Sequence, residues 1–584
     1  MDELVELASR WGVELAYIDA LGRHQTADPE AARRILASLA AGPAPTNIVD
    51  RGHEAIPGAA YQGNKQTPQW LLAVQLYGVR SATNWGHGDF TDLMALIGLA
   101  SEIGAAGIGL NPLHALFPNR AEQASPYSPN SRLFLNPLYI DVTAAPGFSG
   151  TIEPQLAEDL AGLRASSLID YAGVARAKMR ALRQCYCRFC QRPDGGDDLA
   201  AFRRERGGSL ERFAAFETLR TKFNTCWWEW PDEWRQPTER GLGMLREREP
   251  DEIGFHEYVQ WVADRQLAAC QTMARQRGCS IALYIDLAVG VDPAGADGWS
   301  EQGSLLRHVS IGAPPDVLNT AGQDWSLTTY NPHSLIARDF APLRELLAAA
   351  MRHAGAIRLD HIPGLNRMFV IPHGMKPRQG TYLCFPLHEM LGVVAQESQR
   401  HRCIVVGEDL GTVPEGFRQT LAERGIWTYL VMLFEREHDG VFRSPERYPV
   451  NALATFATHD MATFAGWTSG HDLGVKRAIG IDPGETEEDR ARSRAALHDA
   501  LARYRVSGDD DDFIATVRLL AATRSRLVAI AAEDIWGLLD QINVPGTVHE
   551  HPNWRRRLPV SIEQMRADER LHRIAAACAQ AGRG

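Results

Sequence analysis

A chain of 584 residues, 45% hydrophobic and 23% charged, can bury a large core, and its 72 acidic against 61 basic residues leave a formal charge of −11. That balance excludes the broad basic surface that nucleic acid or an anionic membrane requires, and no run of about 18 apolar residues is present to cross a bilayer. The opening MDELVELASRW is acidic and lacks the basic stretch and apolar run of a secretory signal, while nine scattered cysteines, an odd number, fit reduced thiols in the cytoplasm.

Residues 1–45 are predicted to form a helical N-terminal module, with Asp28 ahead of Pro29-Glu30 marking a helix start. Residues 46–69 read as a linker, since the stretch from Gly42 to Pro57 is rich in Gly and Pro. The segment 70–113 carries the apolar runs LLAVQLYGV (71–79) and GIGLNPL (107–113), with a helix predicted over 90–104 between them. Residues 114–279 read as an insertion, loop-rich at first and then helical, with aromatic stretches at 223–237 and 255–269. Within it Cys185, Cys187 and Cys190 lie close together, but structural zinc takes four ligands in two pairs. No second Cys/His pair lies nearby, so the three read as cysteines on a long helix. Residues 280–565 carry six further apolar runs: 280–290, 356–361, 403–409, 427–435, 452–460 and 526–532. Helices are predicted over 341–355 and 384–400, and the chain closes on a helix in 566–584. Short, continuous apolar runs are the pattern of strands buried on both faces. Eight of them alternating with helices predict an α/β fold, a (β/α)8 barrel with a large insertion between strands two and three.

Catalytic groups in such a barrel sit at the C-terminal ends of the strands. Strand four ends in Arg358-Leu359-Asp360-His361, strand five in Gly407-Glu408-Asp409 and strand seven in Thr458-His459-Asp460. Strand residues i and i+2 share a face, so Arg358 and Asp360 point the same way, and a guanidinium keeps a neighbouring carboxylate ionised. Glu408 follows the apolar IVVG, where burial raises a carboxyl pKa. One ionised and one protonated carboxyl group at separate strand ends suit glycoside chemistry, a nucleophile and an acid/base. A structural ion pair explains any one of them alone; three at successive strand ends point to a site.

The motifs IRLDH (357–361), VVGEDLGTVP (405–414) and ATHD (457–460), in this order, resemble those of the 4-α-glucanotransferases of glycoside hydrolase family 77, relatives of the α-amylases. The resemblance extends to VQLYGVRSATNWGHGDFTDL (74–93), GLNPLHALFP with ASPYSPNSRLFLNPLYIDV (124–142), SIGAPPDVLNTAGQDW (310–325) and INVPGTVHEHPNWRRRL (542–558), and covers roughly 70–560. It implies a retaining transfer between α-1,4-glucans, such as maltooligosaccharides, amylose or glycogen chains, with glucose as a further acceptor. No metal or organic cofactor is implied, and the expected state is a cytoplasmic monomer or homodimer.

Carried across residue by residue, the resemblance makes Asp360 the nucleophile, Glu408 the acid/base and Asp460 the carboxylate that holds the sugar hydroxyls beside the reacting carbon. It makes Arg358, His459, Tyr127 and Asp286 substrate-binding, together with Asp316 and Trp325 on a capping loop, and Asn111 and His361 in their motifs. The chain departs from the family where a pair of tryptophans gives way to Phe369-Val370, and where Leu-Pro-Thr gives way to Met461-Ala462-Thr463. Three rival readings stand beside it: an α-glucan hydrolase on the same barrel, a non-catalytic glucan binder, and a metal-dependent enzyme using His361 and His459. The intact carboxylates Asp360, Glu408 and Asp460 speak against the binder.

Overall fold

The computed structural model describes residues 2–584 apart from 20–21, 46–47, 49–57, 65–66, 121–122, 193–195, 316–320, 412 and 505–510. Eight strands close a parallel barrel in sequence order: β1 (Gln69–Val74), β2 (Gly107–Leu110), β3 (Ala282–Leu287), β4 (Ala356–Leu359), β5 (Ile404–Gly407), β6 (Trp427–Val431), β7 (Ala452–Thr455) and β8 (Leu527–Ala531). β8 pairs β1, which closes the ring and leaves no edge. Leu71, Tyr284, Ala356, Ile404, Val406, Trp427, Leu453 and Leu527 form one apolar cluster across seven of the strands, the packed inside of the barrel. The opposite strand faces pack on the helices, which is why each run reads as continuous apolar sequence.

Every strand is shorter than its apolar run. The run at 71–79 holds a strand only to Val74 and then a 3-10 turn at Leu76–Gly78, and the run at 427–435 ends its strand at Val431 before a turn at Met432–Phe434. The hydrophobic pattern continues because Leu76, Tyr77, Gly78, Met432 and Leu433 in these turns are themselves buried, while Phe434 is exposed; ladder pairing, which ends earlier, defines the strand.

The crossover from β1 to β2 is the helix Phe90–Glu102, started by a reciprocal cap in which Asp89 accepts from the amide of Asp92 and Asp92 accepts from that of Asp89. Between β2 and β3 the chain forms a short hairpin, His114–Ala115 with Ser131–Leu135, and then helices that include Tyr171–Phe189, Asp197–Phe223 and Pro250–Gln276. The helix Asp197–Phe223 is broken at Gly207, whose φ of 52° and ψ of −138° only glycine adopts without strain. Cys185 and Cys187 lie on Tyr171–Phe189 and Cys190 caps it.

A four-stranded antiparallel sheet, ordered Thr381–Cys384, Arg367–Pro372, Val309–Ala313, Gln323–Leu327, is built from the loops after β3 and β4. The N-terminal module docks on its outer strand. Glu14 N donates to Tyr382 O at 2.9 Å, Cys384 N donates to Gly12 O at 2.8 Å, and Tyr17 packs edge-on against Phe369 and Tyr382. The module is not helical throughout, because Ala16–Ile18 and His24–Thr26 pair as a hairpin between its two helices. Strands of three residues are too short to carry a readable period. Asp28 caps the second helix as expected, accepting from the amides of Glu30 and Ala31. Among the described residues no helix is long and apolar enough to cross a membrane.

Candidate active site

The period of two along each strand carries the barrel interior to its mouth. Tyr284, Ala356 and Val406 lie in the interior cluster; two residues on, the same faces present Asp286, Arg358 and Glu408, and a further step along β4 reaches Asp360. Arg358 and Asp286 are register partners on neighbouring strands, and Arg358 Nη1 donates to both Asp286 oxygens at 2.9 Å. The same nitrogen lies 2.9 Å from Asp360 Oδ1, and Nη2 lies 3.9 Å from Glu408 Oε2. The guanidinium carbon stands 5.4 Å from the Tyr429 ring centre, on its face.

One buried guanidinium therefore serves three carboxyl groups. Burial works against its charge, but Asp286 and Asp360 outweigh that and hold Arg358 charged. Burial raises the Asp286 carboxyl despite that guanidinium, and it acts on Glu408 as well. Burial, opposed by Arg358 and reinforced by the charge of Asp360, pushes Glu408 up to about 7. Its position is fixed by two main-chain donors, His361 N to Oε2 at 3.0 Å and Leu410 N to Oε1 at 2.7 Å. His361 has a φ of 47°, in the left-handed region, at the turn that places its N–H on Glu408.

A second group comes from the loops after β2 and β7 and from the C-terminal segment. Asp460 stands five residues beyond the last paired residue of β7, Thr455, so it is a loop residue rather than the end of the strand. It is half exposed; Asn543 Nδ2 donates to its Oδ1 at 2.6 Å and His459 Nε2 lies 3.5 Å from Oδ2. Burial raises the Asp460 pKa, but the His459 ring and the Asn543 amide outweigh it and hold the group below its usual range. The converse holds for His459: burial lowers it, and Asp460 raises it by more. The imidazole stacks on Tyr127 with ring centres 4.6 Å apart, and Trp554 closes the cluster at 5.2 Å from His459 and 5.4 Å from Tyr127. The Tyr127 hydroxyl donates to Asp286 Oδ2 at 2.5 Å and lies 3.3 Å from His459 Nδ1, so it joins the two groups.

Asp286, Arg358, Asp360, Glu408, His459, Asp460 and Tyr127 thus fall into one connected constellation. Trp325 lies on Gln323–Leu327 and meets His361 edge-on at 5.3 Å, which brings that strand to the same mouth. His361 meets Trp325, and His459 packs against Tyr127 and Trp554. Asn111 stands apart from the constellation. Its Oδ1 accepts from Leu76 N at 2.9 Å and its Nδ2 donates to Pro112 O and to the Tyr139 hydroxyl at 2.8 Å, so its amide is spent on tying the β1 and β2 loops together. Asp316 lies outside the described residues. Of the departures, Phe369 is buried against Tyr17 and Tyr382 beneath the N-terminal module, and Thr463 caps the helix Phe464–Ser469. Asn543, Trp554 and Tyr429 are additional. The first two lie in the quoted stretch 542–558, where an amide and a tryptophan amid prolines and a glycine were the available signal.

A family model described as 4-alpha-glucanotransferase matches residues 74–562. The chain is 38% identical over 540 residues to a 4-alpha-glucanotransferase of Mycobacterium tuberculosis, covering 87% of this chain and 74% of that one. It is 34% identical over 540 residues to the 4-alpha-glucanotransferase of Haemophilus influenzae, covering 86% and 77%. Its fold is similar to that of an amylomaltase from Corynebacterium glutamicum, with a TM-score of 0.82, 26% identity and 99% of both chains covered.

Proposed function

The chain belongs to the 4-alpha-glucanotransferases of glycoside hydrolase family 77 and is a glucan-transferring enzyme, and we propose that Asp360, Glu408 and Asp460 carry the transfer of α-1,4-glucan segments with retention. Asp360 attacks the anomeric carbon of the donor, forming a covalent ester as the glycosidic bond breaks. Glu408 gives its proton to the departing oxygen. The 4-hydroxyl of an acceptor glucan, or of glucose, then attacks the same carbon; Glu408 takes its proton and the ester bond to Asp360 breaks. Asp460, with His459 and Asn543, holds the sugar hydroxyls next to the reacting carbon, and Asp286, Arg358 and Tyr127 form the floor of that subsite.

The observation that carries this reading is the placement of two carboxyl groups about one guanidinium: Asp360 paired with it at 2.9 Å, and Glu408 at 3.9 Å, where burial pushes it up to about 7. The aromatic ring of Trp325 supplies an apolar face on which a sugar can lie, and an acceptor held there outcompetes water. Asn111 acts at one remove, by fixing the loops. The nine cysteines are all free, in keeping with a reducing cytoplasm, and the enzyme works as a monomer or homodimer.

The test is product analysis after incubation with maltotriose. Glucose and a ladder of longer maltooligosaccharides, with no net gain of reducing ends, are expected. Glucose and maltose accumulating with rising reducing ends would make water the acceptor and overturn transfer.

A further inference from the structure

Beside the loop that follows β3 lies a cavity of about 50 Å³, walled by the hairpin His114–Leu135, the helices Asp197–Phe223 and Pro250–Gln276, and the end of Ala341–Met351. One water needs roughly 10–15 Å³ on this scale, so the space suits a group of several heavy atoms. Its walls hold three guanidinium groups, Arg132, Arg206 and Arg352, against one carboxylate, Asp264. That carboxylate is already engaged: Arg352 Nε and His353 Nε2 each lie 2.9 Å from its Oδ1, and Arg352 also pairs with Glu205.

The other two arginines have no such partner. Arg132 is 6% exposed; its Nη1 donates to Ala288 O at 3.2 Å and Val289 O at 2.8 Å, and its Nε is buried with no hydrogen-bond partner. Arg206 Nη2 donates to Leu133 O at 2.8 Å and its guanidinium carbon lies 5.0 Å from the Phe134 ring centre. Among the described residues neither has a carboxylate within ion-pair distance. Asp264, Glu345 and Glu205 reach Arg206 only at longer range, and burial still lowers its pKa; a guanidinium with no carboxylate in contact is expensive to bury, and two of them on the wall of one cavity define a place for an anion.

We propose that this cavity binds a phosphate-type oxyanion, clasped by Arg132 and Arg206, with Arg352 completing the positive wall. Guanidinium forks match the oxygens of such a group. Two sources share this chemistry, inorganic phosphate and the phosphate of a sugar phosphate. The site lies next to the catalytic constellation in the chain, because Arg132 holds the carbonyls of Ala288 and Val289, His114 Nε2 accepts from Ala288 N at 3.3 Å, and Asp286 stands two residues before. An oxyanion on Arg132 therefore bears on the segment that carries Asp286.

The experiment is calorimetric titration of the full chain, at constant ionic strength, with inorganic phosphate, sulfate and glucose 6-phosphate, with Tm measured in parallel. Saturable binding of phosphate and sulfate and a rise in Tm are expected. Arg206→Gln, at a half-buried position, is expected to keep the Tm of the unliganded protein and its glucan transfer, but to bind about tenfold more weakly or worse, since a charge-assisted bond is lost. Arg206→Lys keeps the charge without the fork and falls between; it decides the matter if Arg206→Gln does not fold. Tighter binding of glucose 6-phosphate than of phosphate assigns the site to a sugar phosphate, and equal or weaker binding assigns it to the free ion. No saturable heat from any of the three, or unchanged affinity in the folded Arg206 variants, overturns the proposal.

Discussion

Arg358 Nη1 lies 2.9 Å from Asp360 Oδ1 while the same nitrogen holds both oxygens of Asp286. A single buried cation is thus the electrostatic anchor of two strand ends, and of Glu408 beyond them. Removing one partner of a buried ion pair leaves the other charge uncompensated, which costs about 3–5 kcal/mol. Arg358→Met is expected to lose stability of that order in denaturant unfolding and to lose transfer activity. Arg358→Lys keeps the charge without the fork and is expected to fall between.

Glu408→Gln keeps the shape of the side chain and removes the proton it exchanges. Transfer between maltooligosaccharides is expected to fall by about 10²–10⁴. A glucan donor with an activated aryl leaving group needs no proton, so formation of the covalent intermediate from it is expected to survive better, measurable as a burst of released phenol. In the unaltered enzyme kcat/KM is expected to fall as pH rises above about 7, where the acid is lost.

The same group links stability to pH. Its folded-state value of about 7 lies above the ordinary 4.5, so between those limits the folded chain holds a proton that the unfolded chain has released. Its contribution is fully present below about pH 4.5 and is lost as pH rises to about 7. The gap corresponds to at most about 3 kcal/mol. At pH 8, Glu408→Gln is therefore expected to be more stable than the unaltered protein and at pH 4 no more so, read from unfolding midpoints at both.

Tyr127 links the two halves of the site, donating to Asp286 while stacking on His459. Tyr127→Phe retains the stack and loses the charge-assisted bond, worth about 1.5–3 kcal/mol. A drop in kcat/KM of about tenfold or more is expected. Tyr127→Ala also removes the ring that packs on both His459 and Trp554 and is expected to cost more; steady-state kinetics on maltotriose separates the two.

Asn543 donates to Asp460 at 2.6 Å and helps to hold that carboxyl group below its usual range. Asn543→Asp replaces the donor with a second carboxylate and pushes Asp460 up. The acid limb of the kcat/KM profile is expected to move to higher pH, with little change in Tm because Asp460 is half exposed. An unshifted limb would mean that Asp460 does not titrate in that limb.

Local sequence carried a great deal of this. Eight apolar runs alternating with helices give a parallel barrel, because a strand buried on both faces has no polar side to show and parallel pairing needs a crossover. Arg358 and Asp360 share a face because a strand repeats every two residues, and the contact at 2.9 Å follows. Burial of Glu408 follows from the apolar residues before it. The motifs carry the family, since each holds side chains whose chemistry depends on neighbours within the same short stretch.

What only the closed barrel decided are the relationships between segments. That Arg358 grips Asp286 as well as Asp360 depends on the register of β3 against β4, set by pairing across 72 positions of chain. Asn543 reaches Asp460, and Trp554 reaches Tyr127, because the C-terminal segment folds back over the mouth. Phe369 turned out to serve the N-terminal module, and Asn111 the loop framework, since burial by a distant segment leaves no mark in the sequence around the buried residue. Strand periodicity fixes which face a side chain takes; closure of the ring fixes what that face meets.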